Sequence, residues 1–152
     1  MATQESTLPE PDKEVPCDRC GAKNRIAAAS TGLPHCGRCH SPLLWVVEAN
    51  DSTVGEALDV ATIPVLVDVW APWCRHSRHV SRVLEGLARE HAGRLKLVEI
   101  NVNESRRVAR LFDVQAVPTL LLLQEGTLLA RRAGPAPSLA LRSWLEGALA
   151  AG

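Results

Sequence analysis

The sequence has no surplus of charge and no long hydrophobic run, and both absences narrow the range of functions. The 17 lysines and arginines balance the 17 aspartates and glutamates among 152 residues, so bulk charge gives no reason to expect nucleic acid or an anionic membrane as the main partner. No apolar stretch is long enough to cross a bilayer. With 46% hydrophobic residues, the chain can bury one full core and carry a small appendage.

The first 15 residues also lack an apolar segment and contain prolines among charges. We therefore expect residues 1–15 to form a disordered tail, and neither a secretory signal nor a transit peptide. Of the five cysteines, four lie in two close pairs, which fits metal binding in a reducing cytosol better than a framework of disulfides. The sequence thus favours a cytoplasmic protein.

Two Cys-x-x-Cys motifs, Cys17 to Cys20 and Cys36 to Cys39, are separated by fifteen residues. Two such turns let four thiolates converge tetrahedrally on one Zn²⁺ ion, and the metal then replaces the core that so short a segment cannot build. We expect a zinc ribbon over residues 16–42 with a structural ion, because four thiolates leave no open coordination position. Two redox pairs or unbound thiols are the alternative.

His35 and His40 flank the second motif and could replace a ligand. Four cysteines already complete the site, so we expect both histidines to be spectators. No aromatic residue lies between the motifs to stack on a base. The ribbon therefore favours a docking or stabilising role over nucleic-acid binding.

Hydrophobic periodicity over residues 43–152 predicts one α/β domain with the order β-α-β-α-β-α-β-β-α. The β-branched run that ends at Trp70 is typical of a strand buried on both faces, with Asp68 as its only charge. Apolar residues then recur at helical spacing, and we expect that helix to end just before Gly93. Further along the chain, Asn103 is expected to cap a short helix.

The change from strand to helix falls at Cys74, in the segment WAPWCRHS that begins at Trp70. A thiol at the N-terminus of a helix has its thiolate stabilised by free backbone N–H groups and by the positive end of the helix dipole. Cys74 is therefore the candidate nucleophile.

These residues, together with the order of elements, resemble thioredoxin, and the ribbon in front makes the chain similar to the zinc-binding bacterial thioredoxins of the second type. Two segments carry the resemblance, Val67 to Cys74 (VDVWAPWC) and Val117 to Thr119 (VPT). The resemblance implies a thioredoxin fold, with a central mixed five-stranded sheet flanked by four helices. It also implies a thiol–disulfide oxidoreductase that acts on protein disulfides, with thioredoxin reductase and glutathione as further partners.

The resemblance assigns roles residue by residue: Cys74 resembles the nucleophile, Asp68 the buried acid and Pro118 the cis-proline beside the active site. Burying an acid in a strand is unfavourable for stability, which suggests a role in proton transfer. From the residues alone, Asp68 could also face solvent at a sheet edge, and Pro118 could simply start a strand. The remaining positions resemble the surroundings of the site: Trp70, Pro72, Trp73, Val117 and Gly134.

The family has a second cysteine three residues after the nucleophile, and this chain has Ser77 there. In a Cys-x-x-Cys enzyme the second thiol attacks the mixed disulfide and releases the reduced product, which a serine hydroxyl cannot do. We therefore expect Cys74 to capture a substrate that only an external thiol can release. The serine is either natural, in a monothiol protein, or an engineered replacement that traps complexes. The presence of Asp68, the expected base for the missing thiol, favours replacement.

Arg75 and His76 occupy the two positions after Cys74, where ordinary thioredoxins have glycine and proline. Cationic side chains next to a helix-terminal thiolate are expected to lower the pKa of Cys74, unless both are solvated and without effect.

Glu99 stands where many family members have a lysine near the buried acid. It either approaches Asp68, where repulsion would raise a pKa, or turns outward.

The sequence thus predicts a protein-disulfide reductase of thioredoxin type with a structural zinc ion, impaired in multiple turnover by Ser77. The alternative is a non-catalytic module of thioredoxin fold that binds extended peptides beside Pro118 and uses the ribbon for docking.

Overall fold

The computed structural model describes residues 13–26, 33–59 and 63–151. Residues 1–12 of the expected N-terminal tail lie outside the described residues. The last three residues of that expected tail, Lys13 to Val15, belong to a strand and are therefore not disordered. The elements follow in chain order: strands β1 (Lys13–Pro16), β2 (Lys23–Ile26) and β3 (Trp45–Ala49), helix α1 (Val54–Asp59), strand β4 (Val65–Trp70), helix α2 (Arg75–Glu90), strand β5 (Lys96–Asn101), helix α3 (Arg106–Leu111), strands β6 (Thr119–Gln124) and β7 (Thr127–Ala133), and helix α4 (Ser138–Ala151).

Five strands form one mixed sheet in the order β3-β5-β4-β6-β7. β3, β5 and β4 run parallel, whereas β6 and β7 are each antiparallel to the preceding strand in this order. Parallel neighbours require crossover connections, which α1 and α2 supply. The predicted order of elements and the five-stranded mixed sheet with four helices are confirmed. β4 is the middle strand, so the residues that follow its carboxyl end lie near the centre of the sheet and not beside an edge strand.

Helices cover both faces of the sheet, which explains the apolar sequence of its central strands. Because side chains alternate along a strand, Leu66 of β4 packs with Leu84 of α2 and Leu141 of α4. Val67 faces the other way and packs with Val108 of α3. In β4, β5 and β6 every residue except the last is buried, as predicted for the first of these. Among the described residues, no helix is both long and apolar enough to pass through a membrane.

One lysine lies inside the layer between the sheet and α1. The side chain of Lys96 is only 1% exposed, and its Nζ donates a hydrogen bond to the carbonyl of Ala57 at 2.6 Å. The same Nζ lies 4.5 Å from the centre of the Trp45 ring. Burial lowers the pKa of Lys96 to about 8. The carbonyl and the aromatic face partly offset the loss of hydration of the cation.

The N-terminal module shares a hydrophobic core with the α/β domain. Its strands β1 and β2 form an antiparallel hairpin, and the chain then returns to the sheet at β3. Cys17 and Cys36 are buried in the same apolar cluster as Leu87 of α2. Asp18 also lies 3.9 Å from the guanidinium of Arg89, near the end of α2. The boundary between a ribbon over residues 16–42 and an α/β domain over residues 43–152 stays a prediction.

The end of α2 touches the segment that follows the cysteine motifs. The helix ends at Glu90, two residues before the expected end just ahead of Gly93, and Gly93 has a φ of +85°. A Cβ at Gly93 would lie 2.9 Å from Cβ of Pro42, too close for any other residue. Glycine is therefore required here for both its backbone conformation and its small size.

The cap of α3 differs from the expected one. Asn103 lies in a short 3-10 turn over Val102–Glu104 and does not cap the helix. Instead, the carboxylate of Asp51 accepts hydrogen bonds from the backbone N–H groups of Arg107 (3.2 Å) and Val108 (2.9 Å). A carboxylate at a helix N-terminus satisfies free N–H groups and interacts favourably with the helix dipole. The expectation was wrong because the cap comes from a distant loop.

Candidate active site and metal centre

Cys74 is the N-cap residue of α2, directly after the turn that follows β4. Its backbone is extended, with φ −100° and ψ 113°, and its Sγ accepts a hydrogen bond from the backbone N–H of Ser77 at 3.4 Å. The side chain is partly exposed. The predicted position of this thiol at a helix N-terminus is therefore present, with an N–H group aimed at the sulfur and a path to solvent.

The surroundings of Cys74 lower the pKa of its thiol. The Ser77 side chain contributes most, followed by backbone N–H groups of Ser77 and His76, and the positive charge of Arg78 adds to them. The expected direction is confirmed, but the cation that acts is Arg78 rather than Arg75. Arg78 follows Cys74 by one helical turn and so lies on the same side of α2, whereas Arg75, the next residue, lies about 100° around the helix axis. The cysteine therefore has increased thiolate character, which is the nucleophilic form.

Ser77, at the position of the second cysteine, is completely buried in the first turn of α2. Its Oγ forms no hydrogen bond of good geometry with a described residue, although the hydroxyl is close enough to the Cys74 sulfur to lower the pKa of that thiol. A buried hydroxyl without a partner costs free energy. The site therefore holds a small buried hydroxyl whose effect falls on the Cys74 thiol.

Asp68 is fully buried in the middle strand, so an acid facing solvent at a sheet edge is excluded. One carboxylate oxygen, Oδ2, accepts a hydrogen bond from Ser81 Oγ at 2.5 Å, and the other, Oδ1, has no partner among the described residues. Burial, together with the charge of Glu85, raises the pKa of Asp68 to about 7 although Ser81 lowers it. Ser81 lies one turn after Ser77 on α2. A group that titrates near neutral pH therefore lies beneath the first turns of this helix.

Glu99 does not turn outward, since it is only 7% exposed. It is the register partner of Asp68 on the adjacent parallel strand β5. Residues in register on neighbouring strands present their side chains on the same face, so this face of the sheet holds two buried acids side by side.

The Val117–Pro118 peptide bond is cis, as the resemblance implies. Pro118 is buried, and its carbonyl accepts a hydrogen bond from the backbone N–H of Gly134 at 2.9 Å. Gly134 has a φ of +92°, a conformation that other residues rarely adopt. The structure therefore joins the two predicted loop positions, Pro118 and Gly134, through one backbone hydrogen bond.

The two tryptophans that flank the motif differ in exposure. Trp70 is partly buried at the end of β4, whereas Trp73 is 68% exposed. The Trp73 indole N–H donates a hydrogen bond to Asn103 Oδ1 at 3.2 Å. Pro72 between them is exposed. Trp73 is thus held at the surface next to Cys74 by Asn103, which sequence reasoning had assigned to a helix cap.

The four cysteines of the N-terminal motifs form one cluster. Their sulfur atoms all lie within 4.8 Å of one another, and the Cys17–Cys39 and Cys20–Cys36 sulfur pairs are each 3.5 Å apart. Tetrahedral zinc with Zn–S bonds of about 2.3 Å needs sulfurs about 3.8 Å apart. The arrangement therefore fits a single tetrahedral ion, and no histidine belongs to the cluster.

The two cysteine motifs have closely similar backbone turns. In the first, the N–H of Cys17 donates to the carbonyl of Ala22, and in the second the N–H of Cys36 donates to that of Ser41, both at 2.8 Å. The residue after each motif has a positive φ, +76° at Gly21 and +65° at His40. His40 is exposed. It completes the turn that Gly21 completes in the first motif and is not a ligand.

Backbone N–H groups point at the sulfurs of these turns. Arg19 N lies 3.4 Å from the Sγ of Cys17, and Arg38 N lies 3.4 Å from that of Cys36. Such bonds stabilise thiolates, and the N–H groups of Cys39 and Arg38 lower the pKa of Cys36 to about 5. Although the backbone hydrogen bond of Ala22 lowers it, the pKa of Cys20 is raised to about 11 by burial and by the side chains of the other three cysteines. The four residues Cys17, Cys20, Cys36 and Cys39 lie close enough together to hold one metal ion.

A model of the family described as Thioredoxin matches residues 45–147. The chain belongs to the thioredoxin family. Thioredoxin C-3 of Corynebacterium nephridii is 30% identical over 135 residues, which cover 87% of this chain and 92% of that protein. This share exceeds the 45–147 match, so the similarity continues into the N-terminal module. The thioredoxin of Haemophilus influenzae is 35% identical over 101 residues, covering 66% of this chain and 94% of that protein.

Membership of the thioredoxin family supports thiol–disulfide oxidoreductase activity, with protein disulfides as general substrates and thioredoxin reductase as a general partner.

Sequence reasoning missed three residues of the site. Ser81 holds Asp68, Arg78 lowers the pKa of Cys74, and Asn103 holds Trp73. Helical spacing would have found the first two, since Arg78 follows Cys74, and Ser81 follows Ser77, by one turn.

Proposed function

We propose that this chain is a thioredoxin-type protein-disulfide reductase of the cytoplasm that captures substrates through Cys74 and releases them slowly. The observation that carries the proposal is the position of Cys74. It is a partly exposed thiol at the N-terminus of α2 that accepts the Ser77 N–H. The other four cysteines belong to the N-terminal cysteine cluster. One thiol is thus left for exchange chemistry.

In the proposed reaction the Cys74 thiolate attacks one sulfur of a substrate disulfide. A new S–S bond forms between Cys74 and that sulfur, the substrate S–S bond breaks, and the second substrate sulfur leaves as a thiolate that takes a proton from solvent. Ser77 cannot attack the mixed disulfide. An external thiol, such as glutathione, must do so, and it becomes joined to the substrate half or to Cys74.

Three features support the roles of the other site residues. Asp68, which titrates near neutral pH, is suited to take a proton from a second thiol at the Ser77 position, as in a dithiol parent that thioredoxin reductase would recharge. Pro118 lacks a backbone N–H, so the chain beside it can accept an extended peptide. Trp73 offers an exposed aromatic surface for the same peptide.

The capture reaction can be followed directly by intact-mass analysis. After incubation with oxidised glutathione under non-reducing conditions, we expect one glutathionyl group per chain, removed by excess dithiothreitol. The Cys74→Ala chain should gain none, and the Ser77→Ala chain should still gain one. No adduct on the unaltered chain at pH 8 would refute the proposed nucleophile.

We further propose that the cysteine cluster holds one structural Zn²⁺ ion, on the basis of its sulfur spacing. Its chemistry would be to cross-link the two turns through Cys17, Cys20, Cys36 and Cys39. We expect the purified chain to contain about one zinc per molecule, and Cys36→Ser to lose it and to melt at least ~5 °C lower.

Elemental analysis and thermal unfolding test the metal. Cys74→Ser is the matched control because it removes one thiol outside the cluster, and it should keep both the metal and the melting temperature. Full zinc content in Cys36→Ser, or a zinc-free unaltered chain that binds no added zinc, would contradict the assignment.

The second candidate function is a binding module that recognises extended peptides without chemistry. The exposed Trp73 favours this alternative, since its indole ring could contact a peptide without using the thiol. Cys74→Ala separates the two. Undiminished capture of a peptide by this variant under reducing conditions would favour binding, whereas loss of capture would favour the exchange reaction.

A further inference from the structure

The first two turns of α2 carry an uncompensated band of positive charge beside the reactive thiol. Three arginines and one histidine, all exposed, form what we call the basic face: Arg75, Arg78, His79 and Arg82. No acidic residue occurs in the first turn of this helix, and the first acid along it is Glu85.

The arginines of the basic face are in no ion pair within the described part of the chain; Glu90, which lines the same groove as Arg82, is bound by Arg142. Arg75, Arg78 and Arg82 make no ion pair with any described residue, whereas Arg89 of the same helix pairs with Asp18. On the neighbouring helix α4, Arg142 makes two bonds of 2.7 Å to Glu90. The positive charge near the start of α2 therefore remains available to a partner.

Geometry places this charge next to Cys74. At 3.6 residues per turn, Cys74, Arg78 and Arg82 follow one another along a single side of the helix. Arg78 is near enough for its charge to lower the pKa of the Cys74 thiol. The helix dipole adds positive potential at the same end. A disulfide that approaches Cys74 therefore passes through a positive field.

We propose that the basic face makes this chain select disulfides flanked by carboxylates, such as those in acidic peptide segments. This inference rests on the proposed exchange reaction at Cys74 and names its substrate class. Positive charges near a reactive group raise the local concentration and encounter rate of anions and lower those of cations. The preference is set by long-range attraction, so it should weaken as salt shortens the Debye length from about 10 Å at 0.1 M to about 3 Å at 1 M.

A charge series of small disulfides tests the selection. The second-order rate constant for modification of Cys74 is measured by stopped-flow or intact mass with oxidised glutathione (anionic), hydroxyethyl disulfide (neutral) and cystamine (cationic). Each rate is divided by that of free β-mercaptoethanol thiolate with the same disulfide, which removes differences in intrinsic reactivity. We expect the corrected anionic-to-cationic ratio to be on the order of tenfold or more at low salt and to approach one near 1 M.

Two matched variants separate the basic face from overall charge. The double variant Arg78→Gln/Arg82→Gln should bring the ratio at low salt close to one, whereas Arg89→Gln/Arg142→Gln, with the same change in net charge, should leave it unchanged. The ratio is unaffected by any rise in the Cys74 pKa, because that changes all three rates together.

The two proposals fail in different ways. Absence of reaction with all three disulfides would refute the exchange reaction itself. Reaction with all three at a corrected ratio that ignores salt, or that survives in Arg78→Gln/Arg82→Gln, would overturn the selection while leaving the exchange reaction in place.

Discussion

Replacing Ser77 by cysteine is expected to turn a protein that captures disulfides into one that reduces them repeatedly. In an assay coupled to a bacterial thioredoxin reductase and NADPH, Ser77→Cys should reduce insulin at a rate on the order of 100-fold or more above the unaltered chain, which should stay near background. A thiol can replace the hydroxyl of Ser77 without breaking a hydrogen bond, because the buried Oγ has no partner among the described residues. The Ser77 N–H donates to Cys74 Sγ, so this position lies next to the reactive sulfur.

The reason for the expected gain is the change from an external to an internal attack. A second thiol in the first turn of α2 is held beside the mixed disulfide, so its effective concentration far exceeds that of a free thiol. The unpartnered carboxylate oxygen of Asp68 can accept the proton that this thiol must lose.

Ser77→Ala is the control for this experiment, since it has neither a thiol nor a hydroxyl at the same place. It should capture glutathione but not turn over. If the unaltered chain itself reduced insulin rapidly with reductase present, the single-thiol mechanism would be wrong. If Ser77→Cys folded, formed an internal disulfide and still showed no turnover, the assignment of position 77 would fail.

The second large effect concerns stability and pH. The pKa of Asp68 is raised to about 7 in the folded chain, against an unfolded value of about 3.9. Between these values the folded state binds more protons than the unfolded state, so the free energy of unfolding falls as pH rises. Over the full range the loss from this one group is about 4 kcal/mol, of which roughly 2 to 3 kcal/mol falls between pH 5 and pH 8.

Urea denaturation of the unaltered chain and of Asp68→Asn at pH 5 and pH 8 measures this effect. Asparagine keeps an acceptor for Ser81 but cannot ionise, so the Asn variant should gain roughly 2 to 3 kcal/mol relative to the unaltered chain between the two pH values. Comparing the two chains cancels titration at other sites. Glu104→Gln, which removes an exposed acid, should give no such gain. A difference between the chains that does not change with pH would contradict a raised pKa.

Much of the fold could be predicted because its signals are local. The β-branched run before Cys74 indicated a strand buried on both faces, and β4 is buried in all but its last residue. The change to helical spacing placed Cys74 at a helix N-terminus, where the structure has it as N-cap. Each of these inferences depends only on residues near one another in sequence, because the spacing of apolar residues directly indicates whether a segment is a strand or a helix.

Some of the wrong or missing predictions have a different cause, since they depend on residues far apart in sequence. Asp51 caps α3 from a loop more than fifty residues earlier, and no local pattern announces such a partner. The burial of Lys96 depends on Trp45 and Ala57, which belong to other elements. Arg78 was missed for a different, local reason: a helix brings residues one turn apart together, whereas the prediction considered only Arg75 and His76, the neighbours of Cys74 in sequence.

Because the N-terminal module shares a hydrophobic core with α2, the ribbon is a structural part of the α/β domain. Cys17 and Cys36 are buried with Leu87, and Pro42 touches Gly93 where α2 ends. A chain shortened to begin at residue 43 would therefore not lose a detachable appendage. It would expose to solvent the apolar residues of α2, such as Leu87, that pack against the N-terminal module. In the folded protein, the apolar cluster on the α2 and α4 side of the sheet continues into the N-terminal module through Cys17 and Cys36.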